Sequence, residues 1–142
     1  MKKYRIGYTS GVYDMFHIGH LNLLRNAKAQ CECLVVGVSP DELVAEYKNK
    51  HTVIPYEQRA EIVEAIRFVD RIVPQVNMDK LASATAVGAE VIFVGDDWKG
   101  TEKWNRIEQE LAQHHIDVVY LPHTAGVSST LLSTVKGREV DG

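Results

Sequence analysis

The chain has 142 residues, of which 45% are apolar and 25% charged, with a formal net charge of -3. That length supports one domain with a single sizeable core, and the composition is that of an ordinary globular protein. The slightly acidic balance argues against general nucleic-acid binding, and no apolar run approaches the length of a membrane span.

Strands and helices alternate along the chain. The basic start Met1-Lys2-Lys3-Tyr4-Arg5 is not followed by an apolar segment of signal-peptide type, so no secretory signal is expected. Residues 4–9 are the first predicted strand, and residues 20–29 a helix with Leu21, Leu24 and Ala27 on one side. Cys31 and Cys33 are one residue apart, a spacing that suits neither a zinc half-site nor a redox pair. They read as small buried hydrophobes in a reducing cytoplasm. Leu34-Val35-Val36-Gly37-Val38 is apolar throughout, as expected of a parallel strand covered on both faces. Ser39 as N-cap and Pro40 in the first turn predict a short helix through Tyr47. A polar loop, residues 48–52, follows.

Pro55 opens the next predicted helix, with Ala60, Ile62, Val63 and Ile66 facing inward. Residues 68–74 hold a strand that a proline ends. Asn77 is the expected cap of a helix through Val87, which Gly88 closes. Val91-Ile92-Phe93-Val94 is a second fully apolar strand, ending at Gly95-Asp96-Asp97. A helix over residues 103–114, a strand over 117–121 and a final helix from a Ser128 cap to Gly137 complete the pattern, with residues 138–142 expected to fray. Five strands alternating with helices predict a single-domain α/β fold, a Rossmann-like doubly wound parallel sheet.

In such sheets ligands sit beyond the C-terminal strand ends, at the switch point of the winding. Three unusual segments directly follow strands: Ser10-Gly11, Gly95-Asp96-Asp97, and the run His123-Thr124-Ala125-Gly126-Val127-Ser128-Ser129-Thr130. The first runs into Asp14, His17 and His20 at a helix start. A glycine turn feeding a helix N-terminus offers free N–H groups to an anion, and imidazoles add donors for phosphate oxygens. The residues alone point to a nucleotide-phosphate site. A metal site at the two histidines would need a third ligand of suitable type, and none is close in sequence.

His17-Ile18-Gly19-His20 after a Gly-x-Tyr-Asp turn resembles the HxGH nucleotidyltransferases. Pro55-Tyr56-Glu57-Gln58-Arg59, Ile66-Arg67-Phe68-Val69-Asp70, Gly95-Asp96-Asp97-Trp98 and Gly126-Val127-Ser128-Ser129-Thr130 resemble, in order and spacing, the glycerol-3-phosphate cytidylyltransferases. Class I aminoacyl-tRNA synthetases share HxGH, but their lysine-rich second motif is absent here.

The resemblance implies CMP transfer from CTP to a phospho-alcohol, glycerol 3-phosphate above all, giving a CDP-alcohol such as CDP-glycerol and releasing pyrophosphate. It implies Mg²⁺ accompanying CTP and a homodimer, for which residues 68–74, with Arg67 and Asp70, are the expected interface. His17, His20, Lys48, Lys50 and Arg67 would stabilise the transferring phosphate. Ser10, Gly11, Val12, Tyr13, Gly19, Gly95, Asp97, Trp98, His123, Thr124, Gly126, Val127, Ser128, Ser129 and Thr130 would surround the nucleotide. Lys48, Arg59 and Asp14 would face the acceptor. Asp14 has three readings: an Asx-type turn, a carboxylate that orients a histidine, or a Mg²⁺ ligand. Val12 stands where the family often has threonine, and His123 where it typically has arginine, so a titratable ring replaces a fixed cation. Alternatives are an adenylyltransferase of the same superfamily and a nucleotide-binding module with weakened turnover.

Overall fold

A computed structural model describes residues 2–124, apart from the side chain of Lys48. The expected final helix and tail, with Gly126, Val127, Ser128, Ser129 and Thr130, lie outside the described residues. The elements are β1 (Tyr4–Gly11), α1 (Ile18–Lys28), β2 (Cys31–Val38), α2 (Asp41–Lys48), α3 (Tyr56–Glu64), β3 (Arg71–Pro74), α4 (Lys80–Val87), β4 (Val91–Gly95), a 3₁₀ turn (Asp96–Trp98), α5 (Glu102–Ala112) and β5 (Asp117–Leu121). All strand pairs are parallel, in the order β3-β2-β1-β4-β5. Winding proceeds outward from β1 to β3, then returns to β4 and β5. The switch point therefore lies between β1 and β4, and the five-stranded doubly wound expectation holds.

The apolar run in β2 shows why this sheet forms. Successive strand side chains point to opposite faces. Leu34, Val36 and Val38 join one core with Leu24 and Ala27 of α1 and Val63 of α3. Val35 joins the other, with Tyr8, Ile92, Ala84 of α4 and Leu111 of α5. Both faces are covered, so no polar alternation is tolerated. At 25 cal/mol per Å², each such buried side chain contributes about 1.5–3 kcal/mol. Among the described residues no helix is long and apolar enough to cross a membrane.

Several local expectations shift. Ser39 does not cap α2; Pro40 is its N-cap, and the Ser39 hydroxyl is buried against Gly11 O and Gln75 Oε1. Asp79, not Asn77, caps α4 by accepting from Ala82 N–H at 3.1 Å, while Asn77 Oδ1 accepts from Asp79 N–H. Gly88 does end α4, with φ 71 in the left-handed region. On α3, Ala60 and Val63 face inward, but Ile62 is 44% exposed. Cys31 is buried and Cys33 partly so, both free thiols.

Candidate active site

The chain leaves β1 at Gly11 and turns through Tyr13 and Met15, whose φ values of 55 and 51 are left-handed. Such backbone in a non-glycine residue persists only where the surroundings over-determine it. Here Tyr13 is buried, and its ring meets the edge of His20 at 5.3 Å. Burial pushes its phenol pKa up, so it stays neutral.

The two histidines then build the start of α1. Nδ1 of His17 accepts the Gly19 N–H at 3.0 Å, and Nδ1 of His20 accepts the His17 N–H at 3.2 Å. This is a reciprocal capping box made of imidazoles. A neutral imidazole carries one proton. With Nδ1 accepting in both rings, the proton sits on Nε2 in both. The rings stack at 3.9 Å with 25° between planes. Nε2 of His17 is buried and has no hydrogen-bond partner among the described residues. A buried donor without a partner marks where an acceptor binds.

Gly19 is required by this fold-back. A Cβ there would lie 2.8 Å from Cε1 of His17. It would also come within 3.8 Å of Cβ of Thr124, which ties the loop after β5 to the histidine motif. Thr124 Oγ1 also accepts from Asn22 Nδ2 of α1 at 3.0 Å.

Burial pushes the His20 pKa down to about 4, helped by the His17 ring and opposed by Asp14. His17 is lowered by burial and by His123. Both are therefore neutral donors at pH 7. Stability should follow. His20 takes up its proton near pH 6.5 when unfolded but near 4 when folded, so the unfolded state binds more protons in between. Folding free energy is unaffected above about pH 7 and falls as pH drops from about 6.5 towards 4. We expect a loss on the order of 1–2 kcal/mol between pH 7 and pH 5. Urea midpoints for wild type and His20→Asn test this, because the variant should lack that step. Asp41 and Asp70 act at lower pH. Burial opposes the ionisation of each, yet hydrogen bonds outweigh it, from Thr52 and Arg59 to Asp41 and from Lys28 and Leu34 N–H to Asp70.

Two further contacts join segments near the strand ends. Ser10 Oγ accepts from Lys80 Nζ at 3.1 Å. Lys80 lies in the first turn of α4 and brings an ammonium to the end of β1, a site residue the sequence reading missed. Gly95 ends β4, and Asp97 and Trp98 lie exposed on the 3₁₀ turn that follows. Asp97 Oδ2 stands 3.6 Å from Nδ1 of His123, joining the loops after β4 and β5. His123 also bears electrostatically on His17, helping to lower its pKa. Lys48 ends α2, and Lys50 lies exposed on the loop after it.

A cytidylyltransferase-like family profile matches residues 8–135, the span that holds every segment just described. The chain belongs to the cytidylyltransferase-like family. It is 37% identical over 123 residues to a glycerol-3-phosphate cytidylyltransferase of Bacillus subtilis, covering 86% of this chain and 89% of that one. It is 33% identical over 126 residues to an FAD synthase of Thermococcus kodakarensis, covering 86% of this chain and 82% of that one. Its fold matches a lipopolysaccharide core biosynthesis protein of Thermoplasma volcanium with a TM-score of 0.70 at 23% identity, covering 85% of this chain and 97% of that one.

In this cytidylyltransferase-like protein several charged residues have protein partners rather than an open site. Arg59 does not face a substrate: its side chain is 0% exposed, and it pairs with Asp41 at 2.6 Å. It also donates to the carbonyls of Ile54, Val12 and Ser39. The Val12 carbonyl is thus turned to the interior. Arg67, expected to stabilise the transferring phosphate, lies beyond α3, which ends at Glu64. Its guanidinium lies 5.5 Å from the Phe68 ring, which Arg25 of α1 also approaches at 5.4 Å, and no described contact brings Arg67 to the histidines. Asp14 faces the protein's own backbone, its two oxygens accepting the N–H groups of Val53 and Ile54. Asp70 pairs with Lys28 at 2.6 Å, a contact within α/β packing.

Proposed function

We propose that this chain transfers CMP from CTP to glycerol 3-phosphate, giving CDP-glycerol and pyrophosphate. The observation that carries the chemistry is the buried Nε2–H of His17 at the switch point, without a hydrogen-bond partner among the described residues and stacked on a second neutral imidazole. Substrate identity is supported by the 37% identical glycerol-3-phosphate cytidylyltransferase.

A phosphate oxygen of the acceptor attacks the α-phosphorus of CTP. The new P–O bond forms as the bond to the bridging oxygen breaks, and pyrophosphate leaves with that electron pair. The nucleophile is already an anion, so no general base is needed. Catalysis reduces to positioning and charge stabilisation. His17 donates through Nε2 to a phosphate oxygen, and His20 keeps His17 oriented and adds a second Nε2–H. Because both are neutral, they place hydrogen bonds without binding the ground-state triphosphate as cations. Lys50 supplies charge from the α2–α3 loop, with Lys48 at the end of α2 before it. Gly11, Gly19 and Thr124 border the phosphates, and Asp97 reaches towards ribose hydroxyls or the base. Among the described residues no group of three or more His, Cys, Asp or Glu could hold a metal ion. Asp14 is engaged with backbone donors. The described side chains thus do not fit a resident Mg²⁺, which in this reading arrives bound to CTP as part of the substrate.

The FAD synthase relative favours, as a second reading, transfer of a different nucleotide by the same site. Pyrophosphate release measured against a panel of nucleoside triphosphates and phospho-alcohols decides between them. CTP with glycerol 3-phosphate should exceed every other pair. Activity only with ATP would replace the first reading, and no release with any pair would leave a binding module.

Lys80 belongs to the acceptor side of this reading, since it reaches the β1 end from the β3–α4 side of the switch crevice. Lys80→Met should raise KM for the phospho-alcohol about tenfold, the effect of one lost charge-assisted hydrogen bond, with KM for CTP nearly unchanged. Initial rates at varied acceptor measure it, and an equal rise for both substrates would remove Lys80 from the acceptor side. The same reading includes a homodimer with residues 68–74 at its interface, where β3 is an edge strand of the sheet among the described residues.

A further inference from the structure

The loop between α2 and α3 carries Lys50, and its attachment to the rest of the protein is lopsided. The chain leaves α2 through Asn49, whose φ of 51 is left-handed and so redirects the backbone. Lys50 and His51 follow, both exposed. From Thr52 onward the loop is pinned. Thr52 Oγ1 donates to Asp41 Oδ1 at 2.8 Å. Val53 N–H donates to Asp14 Oδ2 at 2.8 Å, and Ile54 N–H to Asp14 Oδ1 at 2.9 Å. The Ile54 carbonyl accepts from Arg59 Nε at 2.8 Å.

Asp14 lies in the left-handed turn between β1 and α1, three residues before His17. Its charge reaches His20. One carboxylate thus holds the lysine loop by two successive backbone donors and sits beside the histidine pair. A carboxylate gripping two N–H groups fixes both position and orientation of the gripped segment.

We propose that Asp14 is a positioning residue that docks the α2–α3 loop on the turn after β1, so that Lys50 and the two histidines act as one phosphate-binding unit. The proposal rests on the nucleotide-phosphate reading of the site. Asp14 touches neither phosphate nor metal in this scheme; it acts through the loop. The Arg59 carbonyl contacts to Val12 and Ile54 brace the same junction from beneath.

Two arms test it with the full chain. The first needs no ligand: amide exchange read by NMR in wild type, Asp14→Ala and Asp14→Asn. Asp14→Ala should speed exchange at Val53 and Ile54 at least about tenfold, while Val36 and Ile92 in the sheet keep their protection. Asp14→Asn retains one acceptor oxygen and should release one of the two amides more than the other. Unchanged exchange at both in Asp14→Ala, or faster exchange throughout the sheet, would overturn docking. The second arm is CTP affinity by calorimetry for Asp14→Ala, Lys50→Met and the double variant. Asp14→Ala should weaken CTP about tenfold, and the double variant should bind within about twofold of Lys50→Met, because both remove one interaction. Fully additive losses would show Asp14 acting apart from the loop and overturn the coupling. If wild type binds no CTP, the nucleotide reading fails, and the exchange arm alone still decides whether Asp14 docks the loop.

Discussion

Replacing His17 by asparagine should lower kcat by about 10²-fold or more while leaving the fold nearly as stable as wild type. The two nitrogens of His17 do different work. Nδ1 caps α1 by accepting from Gly19 N–H, and Nε2 is the buried donor without a partner among the described residues. Asparagine is among the best N-cap residues, so its side-chain oxygen can take over the first role. It is too short to supply the second. Glutamine has the opposite character: it reaches the Nε2 position but caps poorly. His17→Gln should therefore keep more activity than His17→Asn and lose more stability. Alanine should lose both, with a capping loss of about 1 kcal/mol added to the rate loss. His20→Ala should also reduce kcat by about 10²-fold, since the second donor disappears together with the acceptor that holds His17 N–H. Steady-state kinetics beside urea denaturation of the same variants separates the two roles. A His17→Asn enzyme with wild-type kcat would end the proposed chemistry, whatever its stability.

That separation was only half legible in the sequence. HxGH spacing after a glycine turn announces phosphate binding, because the histidines must stand at a helix start. It does not announce that both imidazoles turn Nδ1 inward to cap the helix, which needs the φ of -138 at His17 and the bare Gly19. β2 and β4 were legible for a simpler reason. A strand buried on both faces has no polar alternation, and no helix of four or five residues competes with it. The position of the switch point, between β1 and β4, came only with the strand order in the structure. Features set by distant partners were not legible. Ser39 beside Pro40 has the local form of a cap, yet Gln75, 36 residues on, takes its hydroxyl. Lys80 reads as a first-turn helix cation until β1 places Ser10 beneath it. Residues 68–70 continue the β3 pattern, but pairing with β2 begins only at Arg71 opposite Val35. Each miss involves a polar or edge residue whose partner lies far along the chain, where periodicity carries no information.

Arg59 is the largest of these misses, and it predicts the largest stability change. Arg59→Met should destabilise the protein by about 3–5 kcal/mol, the usual effect of removing one partner from a buried ion pair. The side chain is 0% exposed, whereas Asp41 is 42% exposed and can rehydrate. Most of the loss therefore comes from carbonyls: Val12, Ser39 and Ile54 all lose their donor. These belong to the β1 turn, the end of β2 and the lysine loop, so the segments around the phosphate site loosen together. Arg59→Lys should recover little, because a single ammonium cannot span partners arranged for a planar fork of five donors. Asp41→Asn should cost less than Arg59→Met, since the exposed amide keeps an acceptor for Thr52 or Tyr56 N–H. Thermal denaturation orders the three. At about 2–4 °C per kcal/mol for a chain of this size, Arg59→Met should melt roughly 10 °C or more below wild type. An Arg59→Met protein that melts within about 2 °C of wild type but has lost acceptor binding would return Arg59 to the substrate. The burial argues otherwise: a guanidinium with no exposed surface, and with four protein oxygens already around it, has no face left to offer a phosphate.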